Sequence, residues 1–111
     1  NRKNNSRKRY YLIQAADPDS IYAPSDVVRV AKRKNWIPIL DFVETNKIEE
    51  ITEIWLEEQQ LTTVPQFYVL NKLTILSLRF NNISKIEMVN IMPQLVELYL
   101  NNNNISKIEN V

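Results

Sequence analysis

The sequence predicts an α/β solenoid with a helical segment in front of it. Three observations predict it. Apolar positions recur every 22 residues over about residues 48–111. Each unit holds a short Leu-x-Leu segment, whose period of two is that of a strand. A separate stretch with helical periodicity precedes the repeats.

The repeat is read by stepping back from the C-terminal unit. Leu95, Leu98, Leu100, Asn103, Ile105 and Ile108 fall on Leu73, Leu76, Leu78, Asn81, Ile83 and Ile86. One more step gives Ile51, Ile54, Leu56, Gln59, Leu61 and Val64. Phe67, Val89 and Val111 agree in the same way, as do Leu70 and Met92. The tetrad Ile83-Ser84-Lys85-Ile86 returns whole as Ile105-Ser106-Lys107-Ile108. Successive strands should therefore stack in parallel at roughly 4.8 Å. Such units bury their leucines only against neighbours, so they are stable only as a stack.

The asparagines follow from the same geometry. After each strand the chain turns inside the coil, where backbone N–H and C=O groups need partners. An Asn side chain supplies both a donor and an acceptor. Asn81 and Asn103 are expected to form a ladder, with Gln59 giving a looser first turn. Asn101 should face solvent on the strand side, and Asn102 and Asn104 should be turn residues.

The motif LxxLxLxxNxIxxI, with its Ile-x-x-Ile ending, resembles a 22-residue class of leucine-rich repeat. That class includes the leucine-rich regulatory subunit of protein phosphatase 1, the outer-arm axonemal dynein light chain and the spliceosomal A-prime protein. The resemblance implies parallel strands on the concave face. It also implies 3₁₀ or short helical turns on the convex face, here including residues 64–69 and 86–91. The unit beginning at Leu95 reaches only its seventeenth position at Val111. Its leucines would then show an apolar face to water, so the expectation is a fragment of a longer repeat protein or an end covered by another chain.

Ahead of the repeats, residues 1–11 read as a basic tail and residues 12–47 as an N-terminal cap segment. Tyr10, Tyr11, Leu12 and Ile13 form a short apolar anchor. Asp17-Pro18-Asp19 and Ala23-Pro24 read as turns. Ser25 or Asp26 can cap a helix near 26–35, with Val27, Val30 and Ala31 on one face and Pro38 as its stop. Ile39, Phe42 and Ile48 lie 22 before Leu61, Val64 and Leu70, which suggests a degenerate half-repeat leading into the stack.

Composition removes much chemistry. The chain of 111 residues has no His, Cys or Gly. That excludes the usual general base, a disulfide or thiolate site, and any glycine-rich phosphate loop. No catalytic, cofactor-binding or metal-binding residue is proposed, and a non-enzymatic role is expected. Net charge is +1. Residues 1–35 carry nine Lys and Arg against three Asp, a balance of +6; residues 36–111 carry five against ten Asp and Glu, a balance of −5.

The residues alternating with inward leucines should form the binding face. They are Glu53, Trp55 and Glu57; Ile75, Ser77 and Arg79; and Glu97, Tyr99 and Asn101. Trp55 and Tyr99 should stand roughly 10 Å apart across a slot above Ser77. Phe80 is read as either a satellite contact or part of an interface. The surface suits a protein partner that is basic or presents a helix. Arg2, Lys3, Arg7, Lys8 and Arg9 could meet an acidic surface such as tubulin tails. No membrane contact is expected, and an acidic face disfavours nucleic acid.

The function expected is an interaction scaffold, part of a larger intracellular, cytoplasmic complex. The resemblance implies a cilium, axoneme or other cytoskeletal setting. The alternatives are a regulatory subunit that positions a phosphatase and an RNA–protein assembly factor.

Overall fold

A computed structural model of the chain describes residues 17–87 and 91–109. In chain order the elements are α1 (Pro24–Lys34), α2 (Ile37–Thr45), a 3₁₀ turn (Ile48–Glu50), β1 (Glu53–Trp55), β2 (Ile75–Ser77), β3 (Lys85–Glu87), β4 (Glu97–Tyr99) and β5 (Lys107–Glu109). The basic tail, including Arg2, Lys3, Arg7, Lys8 and Arg9, and the anchor from Tyr10 to Ile13 lie outside the described residues. So do Val89 and Val111.

The strands pair in parallel in the order β1-β2-β4. Ile54 is opposite Leu76, and Leu76 is opposite Leu98. The register is therefore 22 residues at each step. Bonds outside the strands repeat with it. Thr74 N donates to Thr52 O at 2.9 Å, and Val96 N to Thr74 O at 2.7 Å. Leu56 N donates to Ser77 O and Leu78 N to Tyr99 O, both at 2.9 Å.

Inward side chains of all units join one core. Ile51, Ile54, Leu56, Leu73, Leu76, Leu78 and Ile83 are buried together with Phe67, Leu70 and Met92. In the last unit Leu95, Leu98, Leu100 and Ile105 are only partly buried against this core, and Ile108 is exposed. A column of leucines thus runs through the stack and is best covered in its middle.

The asparagine ladder is present. Asn81 Oδ1 accepts from Gln59 N at 2.9 Å and Leu61 N at 3.1 Å. Its Nδ2 donates to Leu56 O and Leu78 O at 2.9 Å, and to Arg79 O at 3.2 Å. One unit on, Asn103 Oδ1 accepts from Ile83 N, and its Nδ2 donates to Leu78 O and Leu100 O. Each asparagine ties its own turn to the turn before it. Glu58, Phe80 and Asn102, also 22 apart, share φ of 57 to 60°. The turn therefore has one backbone shape in all three units, and Gln60 adds a further left-handed residue in the first.

Two expectations need correction. The convex side was expected to hold 3₁₀ or helical turns at 64–69 and 86–91. At 64–69 there is no helix but one hydrogen-bonded turn, Leu70 N donating to Phe67 O at 3.0 Å, and at 86–91 the described residues 86 and 87 are strand. Instead β3 pairs with β5 in a second parallel sheet, Ile86 opposite Ile108. The Lys-Ile-Glu triplets alternate charged and apolar residues, a strand pattern, and Lys85 and Lys107 pair with Glu87 and Glu109 across and along it.

The second correction concerns helix ends. The first helix begins at Pro24, not near 26, and Ala23 is its N-cap. Asp26 sits at the third helical position, where its Oδ2 accepts from Tyr22 N and Ala23 N, both at 2.9 Å. Those bonds hold the Asp26 carboxyl below its usual value. The helix ends at Asn35, which turns left-handed at φ 58°. Pro38 is no stop. It lies in the first turn of α2, where its missing N–H costs nothing.

Ile39 and Phe42, which lie 22 residues before Leu61 and Val64, belong to α2, and Ile48 belongs to the 3₁₀ turn. Ile39 is buried, and α2 packs against β1 while α1 packs against α2 and the 3₁₀ turn. Trp36 meets Phe67 edge-on at 6.0 Å. The charges of α1 are engaged by the loop before it: Arg29 donates to Pro18 O and Ser20 O, and Arg33 and Lys34 pair with Asp19.

Asn81→Ala would strand the amides of Gln59 and Leu61 in the interior. Each buried group left unpaired costs about 1–3 kcal/mol. Denaturant unfolding should show a loss of at least about 2 kcal/mol for this variant, larger than for Asn103→Ala in the half-buried last turn.

Candidate functional site

The outward faces of β1, β2 and β4, with the residue two past each strand, form three rows across the sheet. The register places Glu53, Ile75 and Glu97 in the first row and Trp55, Ser77 and Tyr99 in the second. Glu57, Arg79 and Asn101 follow in the third. All nine residues predicted for this face are thus brought together on it.

The middle row departs from the open slot expected of it. Trp55 and Tyr99 are stacked, with ring centroids 6.0 Å apart and planes at 20°. Strands two apart are separated by roughly 10 Å, so both rings lean inward. Ser77 between them is small enough to allow this, and it is fully buried beneath. Offset stacking recovers contact that neither ring would have alone. The outer surfaces remain in water, with Trp55 45% and Tyr99 38% exposed. The result is a raised aromatic platform.

Each ring also has a tether. Trp55 Nε1 donates to Glu53 Oε1 at 3.1 Å, and Tyr99 Oη donates to Glu97 Oε2 at 3.0 Å. Glu97 beside it raises the Tyr99 phenol above its ordinary pKa of 10.0. The polar ends of both rings are satisfied by the first row.

Glu57 behaves differently. Arg79 donates to it twice, Nε to Oε2 at 2.8 Å and Nη2 to Oε1 at 3.3 Å. Ser77 Oγ donates to Oε2 at 2.7 Å. Arg79 first, and Ser77 next, hold the Glu57 carboxyl below the usual glutamate value of 4.5. The guanidinium also lies 5.6 Å from the centre of the Phe80 ring. The acidity expected of this row is therefore largely neutralised within the sheet. Asn101 is exposed, as expected.

Sequence reasoning missed the conformation of Phe80. Its φ of 58° lies in the left-handed region, which is costly for a bulky side chain. The ring is 45% exposed beside the third row. Glu58 and Asn102 occupy the same position in the other units, and Asn is a residue that tolerates this region. The repeat register alone could have identified the site, since Phe stands in line with Asn.

No group of His, Cys, Asp and Glu among the described residues could hold a metal ion. No helix among them is long and apolar enough to cross a membrane. Carboxylate acceptors and exposed rings are what this face offers.

Two outcomes are expected. Phe80→Asn should raise stability by about 0.5–1 kcal/mol through relief of the left-handed backbone, as read by denaturant unfolding. Glu57 has a depressed folded pKa, so its contribution is present above the ordinary glutamate range and is lost as pH falls through the lowered value. Glu57→Gln should accordingly lose stability at neutral pH but lose less than the wild-type chain on acidification to about pH 3.

Comparison with curated proteins and with solved structures found no match. A family model described as leucine-rich repeats, in two copies, matches residues 71–111. That span holds β2 to β5, the units whose asparagines form the ladder, and the match supports reading the chain as a leucine-rich repeat protein.

Proposed function

We propose that this chain is a non-enzymatic scaffold that docks a protein partner on the face made by β1, β2 and β4. The exposed Trp55–Tyr99 platform carries this reading. Large aromatic surface held rigid and left in water is typical of interface anchors. Repeats of the matched family generally mediate protein–protein interaction, which supports a scaffold. Residues 12–47 are proposed to cap the first unit, and the basic residues of the segment 1–11 are proposed to meet an acidic surface. Nucleic acid is a poorer candidate, because Glu53 and Glu97 would repel phosphates at the platform. The resemblance to ciliary and axonemal repeat proteins makes that setting the proposed one. A phosphatase-positioning subunit would use the same face.

Trp55→Ala and Tyr99→Ala test the proposal by affinity purification from cells, with partner affinity measured on the recovered complex. Each should weaken binding by about 2 kcal/mol or more. Both rings lie outside the core, so circular dichroism should show the fold intact. Near wild-type affinity in both variants would discard the docking face.

A further inference from the structure

We infer that the first row of this face, Glu53–Ile75–Glu97, is a subsite for an arginine side chain of the partner. The inference rests on the docking face proposed above and specifies what that face recognises.

Three features carry it. First, the row is symmetric about an apolar centre. Ile75 is the register partner of both Glu53 and Glu97, so the two carboxylates stand on either side of it. Strands two apart place their backbones roughly 10 Å from each other. That gap takes one side chain, with the aliphatic stem over half-buried Ile75 and the charged head between the acids.

Second, charge is compensated unequally across the face. Glu57 already has Arg79 as a two-fold donor. Glu53 and Glu97 form no ion pair among the described residues; their partners are the neutral donors of Trp55 and Tyr99. Those bonds use one oxygen of each carboxylate, Oε1 of Glu53 and Oε2 of Glu97. They also pull both groups towards the aromatic row. The second oxygen of each is left to accept from a ligand.

Third, the wall of the notch is aromatic. A planar guanidinium has five N–H donors and stacks well on aromatic surface. It can donate to both acids at once, beside the ring edges that carry Trp55 Nε1 and Tyr99 Oη. A partner helix or strand carrying one arginine would thus place its charge in the first row and its apolar surface on the second.

The probe is a short, end-capped alanine peptide with one central arginine, compared with the same peptide carrying neutral citrulline. Nuclear magnetic resonance titration at low salt should show shifts at the Trp55 indole N–H and the Ile75 methyl groups on adding the arginine peptide. The citrulline peptide should bind at least about five-fold more weakly, as expected for losing two partly exposed charge contacts. The double variant Glu53→Gln/Glu97→Gln should abolish that preference. Glu49→Gln/Glu50→Gln, which alters net charge equally at exposed residues away from the face, should retain it. Equal binding of the two peptides, shifts located elsewhere, no binding, or an unaltered preference in the Glu53/Glu97 variant would each overturn the subsite. The two proposals separate cleanly. Partner capture lost on Trp55→Ala but kept in the Glu53/Glu97 variant leaves the docking face and removes the arginine subsite. Capture kept on both Trp55→Ala and Tyr99→Ala removes both.

Discussion

Turning the chain inside its own coil is what the architecture has to solve. After each strand, backbone groups point into the interior and need partners there. Asn81 meets this by accepting two amides and donating to three carbonyls. Because some of those groups belong to its own unit and others to the previous one, the same side chain sets the vertical distance between units. Leucine packing then follows, since Leu56 and Leu78 can share a column only if the turns above and below are held in step. The hydrophobic effect supplies the drive, but it is non-directional. The asparagine bonds supply the register.

That register sorts inside from outside and so makes the exposed face. Alternation along each three-residue strand sends Ile54, Leu76 and Leu98 inward and their neighbours out. Stacking units then converts isolated surface residues into rows. Trp55 and Tyr99 are distant in sequence, yet the stack brings them close enough for ring contact across Ser77. The first row stays anionic and the third is balanced by Arg79. A flat sheet thereby acquires a polarity across its width, with the aromatic platform as the divide.

Much of this was legible in the residues, because a 22-residue period is a linear signal. Inward positions, the parallel pairing and the roles of Asn81 and Asn103 all follow from it. Other features were less accessible. Pro38 reads equally as a stop and as a first-turn residue, and only the packing of Ile39 against the core decides between them. The β3–β5 sheet was obscured because the family resemblance suggested helical turns, although Lys-Ile-Glu alternates like a strand. The closure of the Trp55–Tyr99 gap depends on side-chain lean, which strand spacing does not determine. Phe80 shows the converse: its left-handed backbone is dictated by the repeat, and its side chain runs against what the turn prefers.

Vertical registry underlies every surface assignment, and magnetisation transfer between backbone protons tests it most directly. Cross-strand contacts should link Ile54 with Leu76 and Leu76 with Leu98, and the amides of Leu61 and Ile83 should be slow to exchange. Contacts offset by a residue, or rapid exchange at those two amides, would contradict the stacked arrangement from which every surface assignment derives.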